Sequence, residues 1–255
     1  MINITKPVAI PLTLRRTGRQ ENDLNQQAYS ANSAAYRKGT LEFDIKSAIY
    51  GYKTVKRRLR EAQYGKCCFC EKEQLDEYGA VEHYRPKGGY FSAKTNDVIK
   101  PGYYWLGYDW KNLYFVCSAC NTSKANYFPL ANERKRAISH LHDLGQETPL
   151  LLDPAGPMNP QDHLAFDFQF IRSTSKYGAA TIEICALDRP ALDEKRKLLI
   201  EVIKAYVAIY QAAVSDIITP ELKQEAADFL RRCQEPAGEF SATASAYLRR
   251  RQVQV

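Results

Sequence analysis

Two Cys-x-x-Cys pairs, Cys67–Cys70 and Cys117–Cys120, constrain this chain more than any other feature of its sequence. Each pair turns two thiols toward one point on a tight knuckle, and two knuckles sharing one ion form a tetrahedral four-sulfur zinc site. A fold that satisfies both must close a loop over the 46 intervening residues. A simple zinc ribbon needs no insertion of that length, so something else is expected inside it. Cys68 stands beside a ligand and could compete for the ion, but Cys67 has the two-residue spacing. Cys185 and Cys233 read as core residues, the first on an expected strand and the second on an expected helix.

Seven cysteines is an odd number. The start of the chain has no apolar run followed by a small-residue cleavage site, so metal binding is favoured over disulfides and a cytoplasmic location is expected. No apolar stretch reaches the roughly 20 residues of a membrane span. Charge is uneven along the chain. Residues 1–150 carry 23 Lys and Arg against 15 Asp and Glu, whereas residues 151–255 carry 13 against 14. The positive excess lies with the cysteine pairs and suits a polyanion such as nucleic acid, although an ordinary solvated surface has the same composition.

The expected class is α+β, in three parts. Residues 1–64 read as a basic arm and helix. The arm, to about residue 40, is polar and loosely structured, and Ile45, Ile49, Tyr52, Val55 and Leu59 mark one helix from about Phe43 to Tyr64. Lys53, Lys56, Arg57, Arg58 and Arg60 form its other face. Residues 65–130 are the Cys-, Gly- and Tyr-rich block. Residues 131–255 form the C-terminal part, a hairpin plus helices, which contains a proline-rich connector from Leu150 to Pro160. A strand through Phe166, Phe168 and Phe170 and a return strand from Thr181 to Cys185 follow. Asp188 is the expected cap of a helix with Leu199, Val202, Ile203, Tyr206, Tyr210 and Val214 on one face. Further helices start at Thr219-Pro220 and Ser241.

Between the cysteine pairs lies Val81-Glu82-His83-Tyr84-Arg85-Pro86-Lys87, then Trp110-Lys111-Asn112-Leu113 leading into Cys117, and Cys120 is followed by Asn121-Thr122-Ser123-Lys124. In that order these pieces resemble the HNH endonuclease family, whose fold is a two-stranded hairpin and a helix around one catalytic metal. The resemblance covers about residues 65–128. It implies a zinc-stabilised ββα-metal core, with Cys67, Cys70, Cys117 and Cys120 on structural zinc. Glu82 is then a catalytic metal ligand and His83 the general base. Asn112 is the central Asn that ties a loop and holds the His, and Asn121 occupies the position of a third conserved His in many members. A carboxylate and an amide oxygen suit Mg2+ or Mn2+ better than zinc.

The chemistry also stands without the family. A neutral imidazole, with an ordinary pKa near 6.5, can take the proton of an attacking water. A cation held by Glu82 and Asn121 can stabilise the leaving oxygen. Adjacent strand residues face opposite ways, so the strand must bend or end near His83 for both side chains to serve one phosphate. Arg85, Lys87 and Lys124 are candidates for neighbouring phosphates. Tyr103, Tyr104, Trp105, Tyr108 and Trp110 could stack on bases or fill a core, and His140 and His142 read as a surface pair.

Lys53 to Cys67, the Glu82–Lys87 string, Leu151-Leu152-Asp153-Pro154 and Ile182 to Arg189 (IEICALDR) are also similar to the Septu-type anti-phage HNH nucleases, also found with retrons. That resemblance implies a nucleic-acid target, DNA before RNA, and an ATPase partner of the PtuA type that restrains the nuclease. A zinc-stabilised adaptor that binds without cutting, and a stand-alone restriction or homing enzyme, are the alternatives. An adaptor has no need of Glu82, His83 and Asn121 together.

Overall fold

The computed structural model describes residues 1–74 and 79–255; residues 75–78, inside the expected nuclease block, lie outside it. The class is α+β, and the described strands form three separate antiparallel pairs. Strand β1 (Ala80–His83) pairs with the later strand Leu113–Val116, with His83 opposite Leu113 and Glu82 opposite Tyr114. Strands β2 (Tyr90–Ser92) and β3 (Asp97–Ile99) form a small hairpin between them, which makes Leu113–Val116 strand β4. Every β4 residue is buried, so this strand is the spine of the core.

The N-terminal part is helical, not a loose arm. A helical turn from Leu14 leads into α1 (Arg19–Ala31), followed by α2 (Ser33–Lys38). Polar composition suggested otherwise, but single aromatic anchors hold it. The Tyr29 ring stacks on Tyr104 at 5.1 Å, and Tyr36 stacks on Phe43, which stacks on Tyr104 in turn. Ahead of them, the Lys6 ammonium donates to the carbonyls of Trp110, Lys111 and Leu113, and burial lowers its pKa to about 8.

The helix expected over 43–64 is broken. Helix α3 (Ser47–Tyr50) ends at Gly51, and Tyr52 takes an extended backbone before α4 (Lys53–Ala62), which buries Val55 and Leu59 one turn apart. Helix α5 (Ser118–Lys124) follows β4 directly, with Cys117 as its N-cap.

Downstream, Leu151 and Leu152 are fully buried and the Tyr84 hydroxyl donates to the Leu151 carbonyl, so the proline-rich connector is a strap across the core. Strands β5 (Leu164–Asp167) and β6 (Phe170–Ser173) form a hairpin that turns at Phe168, where φ is +53°. The return strand expected at 181–185 is instead helix α6 (Lys176–Cys185). The Ser175 hydroxyl caps it at the Gly178 amide, and Gly178 lies so close to the His163 carbonyl that a side chain there would collide. Local capping outweighs the Ile182/Ile184 alternation.

Helix α7 (Pro190–Gln211) starts from Arg189, one residue beyond the expected cap. Its buried face is Leu192, Arg196, Ile200, Ile203 and Val207. Val202 is exposed, and Val214 lies past the helix end. Helices α8 (Pro220–Gln234) and α9 (Ser241–Arg250) begin where the sequence suggests, the first with the Thr219 hydroxyl accepting from the Leu222 amide. They pack on α7 around a small second core of Ile203, Leu230 and Leu248. The main core runs from Leu14 through β4 to Leu192 and draws on all three parts of the sequence.

Candidate active site and metal centre

Cys67, Cys70, Cys117 and Cys120 come together as the loop-closure argument requires. All four are buried, and their sulfurs lie within 4.8 Å of one another. A Zn–S bond of about 2.3 Å puts tetrahedral sulfurs about 3.8 Å apart. Cys70 Sγ and Cys117 Sγ are 3.8 Å apart. The donor set therefore fits a tetrahedral ion of the zinc type. Burial pushes the Cys67 thiol well above the ordinary cysteine range, so a thiolate at that position calls for a cation beside it. Cys68 is buried outside the cluster, and Cys185 is fully buried core.

One contact at this centre was not apparent from the sequence. The Arg189 guanidinium lies 3.5 Å from Cys120 Sγ and 3.8 Å from Cys117 Sγ, and also donates to the carbonyls of Cys185 and Ala186. Four thiolates around a divalent ion would leave a charge of about −2, part of which Arg189 would offset, and its contacts tie α6 and α7 to the knuckles. The signal was the Arg at the end of IEICALDR. Arg189→Met is expected to weaken metal retention roughly ten- to hundredfold, as changes to groups that support metal ligands do. The check is the rate of zinc release to a chelating dye.

The ends of β1 and α5 lie beside each other next to the cysteine cluster. Strand β1 ends at His83. There the Tyr84 amide donates to the Asn112 carbonyl (2.8 Å) and the Arg85 amide to Asn112 Oδ1 (2.7 Å). The Asn112 side-chain amide donates in return to the carbonyls of Arg85 and Leu106. Asn112 thus clamps the chain after His83 to the segment before β4.

That segment supplies the partner of His83. Nε2 lies 2.8 Å from the Gly107 carbonyl oxygen, which can only accept, so this nitrogen carries the proton. Nδ1 keeps its lone pair. The ring is 3% exposed. Burial, with the nearby Lys87 and Lys124 charges adding to it, lowers its pKa to about 3, so the imidazole is neutral around pH 7.

Glu82, His83 and Asn121 all line one cleft of about 460 Å³, together with Ser47, Tyr50, Gly51, Lys56 and Lys87. Ending the strand at His83 lets both neighbours reach the same space. The wall made by α3 and the start of α4 was missed in the sequence, because a continuous helix through 43–64 hides the turn at Gly51 that swings Tyr50 inward.

The basic residues part company. Lys87 lines the cleft. Lys124, expected at a phosphate, is fully buried, with Nζ 2.7 Å from Glu82 Oε1 and 2.8 Å from the His83 carbonyl. Its ammonium fixes the carboxylate through Oε1. Arg85 turns inward as well, pairing with Glu147 at 2.9 Å beneath a network of Tyr103 and Arg136. The aromatic run at 103–110 is buried core, and His140 bonds the Tyr104 hydroxyl through Nδ1.

No known family profile matches this chain, and no solved structure is significantly similar to it. Curated relatives are. The chain is similar to the Septu protein PtuB. Identity to PtuB of Bacillus mycoides (strain KBAB4) is 38% over 169 residues, covering 64% of this chain and 57% of that protein. The Septu protein PtuA of the same strain is 27% identical over 133 residues, 52% of this chain but 19% of PtuA. The chain thus spans little more than half the length of PtuB and a short segment of PtuA. Among the described residues no helix is long and apolar enough to cross a membrane.

Proposed function

We propose that the chain is a metal-dependent HNH endonuclease that hydrolyses phosphodiester bonds, the effector of a Septu-like anti-phage system working with a PtuA-type ATPase. One observation carries the catalytic part. Glu82, His83 and Asn121 share a single cleft beside a four-cysteine metal centre, an arrangement that a binding adaptor does not need. Similarity to two Septu proteins supports the defence role.

His83, neutral and held by Gly107, accepts the proton of the attacking water at Nδ1. Lys87 binds a phosphate oxygen at the rim. Glu82 and Asn121 offer a carboxylate and an amide oxygen, hard donors that fit Mg2+ or Mn2+. Such an ion, when bound, supplies charge neutralisation at the leaving oxygen. Lys124 and Arg85 act behind the cleft, the first orienting Glu82 and the second anchoring the chain beyond His83.

The partner reading draws on the helical C-terminal part. Leu198 and Val202 on α7, and Val214 and Ile217 beyond it, are exposed apolar residues of the kind a docked protein would cover. The test is incubation of the purified protein, alone and co-expressed with its genomic neighbours, with labelled DNA and RNA in Mg2+ or Mn2+. Cleavage is expected, under control of the partner. Binding without cleavage under every condition would leave the adaptor reading in its place.

The cation ligands have their own signature. Glu82→Gln and Asn121→Ala are expected to lower cleavage at low Mg2+ and to recover part of it when Mg2+ or Mn2+ is raised. Glu82→Ala is a poorer probe, since it leaves the buried Lys124 ammonium unpaired, at about 3–5 kcal/mol. A cation titration of cleavage rate that is identical in Glu82→Gln and parent removes Glu82 from the ligand set.

A further inference from the structure

We propose that Tyr50 is a positioning residue of the cleft, whose ring fixes the plane of the His83 imidazole and carries the Lys87 ammonium on its face. The inference rests on the nuclease reading above and assigns a role to a residue outside the expected nuclease block.

The Tyr50 and His83 rings meet edge to face, with centroids 4.6 Å apart and planes at 76°. Lys87 Nζ sits 5.1 Å from the centroid of the same Tyr50 ring. All three side chains line the cleft with Glu82 and Asn121. One ring therefore touches the candidate base and the one expected phosphate ligand that remains in the cleft.

Both contacts are needed on geometric grounds. The torsion that turns an imidazole is soft. A single hydrogen bond from Nε2 to Gly107 leaves the ring free to swing about that line, and the swing carries Nδ1 away from a water. A second contact off the line removes the freedom. Lysine has a flexible four-carbon stem, and an aromatic face holds its ammonium by attraction to the ring electrons.

Tyr50 is itself fixed by the segment that holds His83. Ile45, two residues before α3 begins, packs where a side chain at Gly107 would stand, at 2.7 Å from that Cβ position. The Lys46 amide donates to the Tyr108 hydroxyl at 2.7 Å. Ile49 is buried, and Gly51 turns back so tightly that a Cβ would lie 2.8 Å from the Ser47 carbonyl. Leu106–Tyr108 thus accepts the hydrogen bond from His83 Nε2–H on one side and seats the Tyr50 turn on the other.

The ring, not the hydroxyl, carries the role, and this makes the test specific. Cleavage kinetics are measured for parent, Tyr50→Phe, Tyr50→Leu and Tyr50→Ala, with zinc content and melting temperature recorded for each. Tyr50→Phe is expected to match the parent in kcat and KM. Tyr50→Leu and Tyr50→Ala are expected to lose about tenfold to a hundredfold in kcat through misplacement of the base, with a raised KM as Lys87 loses its platform. Tyr50→Leu fills most of the ring's volume, so it reports on the role if the alanine variant fails to fold.

A second readout needs no activity. Carbethoxylation of His83 by diethyl pyrocarbonate, mapped by mass spectrometry, should be several-fold faster in Tyr50→Leu than in parent. Unchanged kcat and KM in Tyr50→Leu, or an unchanged His83 modification rate, overturns the proposal, as does a Tyr50→Phe variant as poor as Tyr50→Leu. If the parent cuts no nucleic acid the nuclease reading fails by itself, and the modification rates still decide whether Tyr50 holds His83.

Discussion

Cys117→Ser is expected to give an insoluble or unfolded chain, and Cys67→Ser, Cys70→Ser and Cys120→Ser the same. Metal binding at a tetrathiolate centre contributes about 10–16 kcal/mol of folding free energy in zinc-finger peptides, while a whole domain is typically stable by only about 5–15 kcal/mol. Losing one ligand therefore removes a share that the remaining core cannot replace. Cys117 is the most demanding position, because its sulfur also accepts from the Cys120 amide at 3.4 Å and so caps α5. With the cap gone, Asn121 and Lys124 lose the helix that aims them.

Cys233→Ala is the control. It lies on α8 in the second core, away from the centre, and should cost little beyond a small cavity. Elemental analysis should find one zinc per soluble parent chain. Soluble, cooperatively melting Cys117→Ser, or folded parent without zinc, would show that the four sulfurs are merely packed.

Legibility in the sequence followed the range of the forces involved. Cysteine spacing is covalent arithmetic, and across 46 residues it picked out the four cysteines that the fold brings together into a cluster able to hold a metal ion. The capping signal at Thr219-Pro220 is local, and that helix starts where expected, as does the one from Ser241. What escaped was set by contacts far apart in the chain. The helicity of residues 19–38 depends on Tyr29 meeting Tyr104, and no window of sequence around Tyr29 contains that information.

The same holds for the basic residues of the site. Proximity in sequence to the proposed site, to His83 for Arg85 and Lys87 and to Asn121 for Lys124, made the three equivalent candidates. Glu147, distant in sequence, draws Arg85 inward, and Glu82 does the same to Lys124. A partner acid decides which cation stays at the surface, and acids 42 or 62 residues away are invisible to spacing rules.

Replacing His83 is expected to abolish cleavage while leaving nucleic-acid binding. Loss of a general base typically slows a reaction about a hundredfold to ten-thousandfold, and among the described residues that line the cleft there is no second imidazole to take over. The alanine variant alone would mislead. It removes a ring that is 3% exposed and strands the Gly107 carbonyl, so a drop in activity could follow from a loosened site. His83→Gln separates the two effects. Its side-chain amide can donate toward Gly107, yet it has no basic nitrogen to accept the proton of water. Both variants should therefore fail to cut, with His83→Gln keeping the melting temperature closer to the parent and Lys87 still gripping the phosphate. Gel-shift affinity, melting temperature and single-turnover rate, measured on the same preparations, check the prediction. A glutamine variant that cuts at the parental rate would mean that His83 is a structural histidine and that the base lies elsewhere.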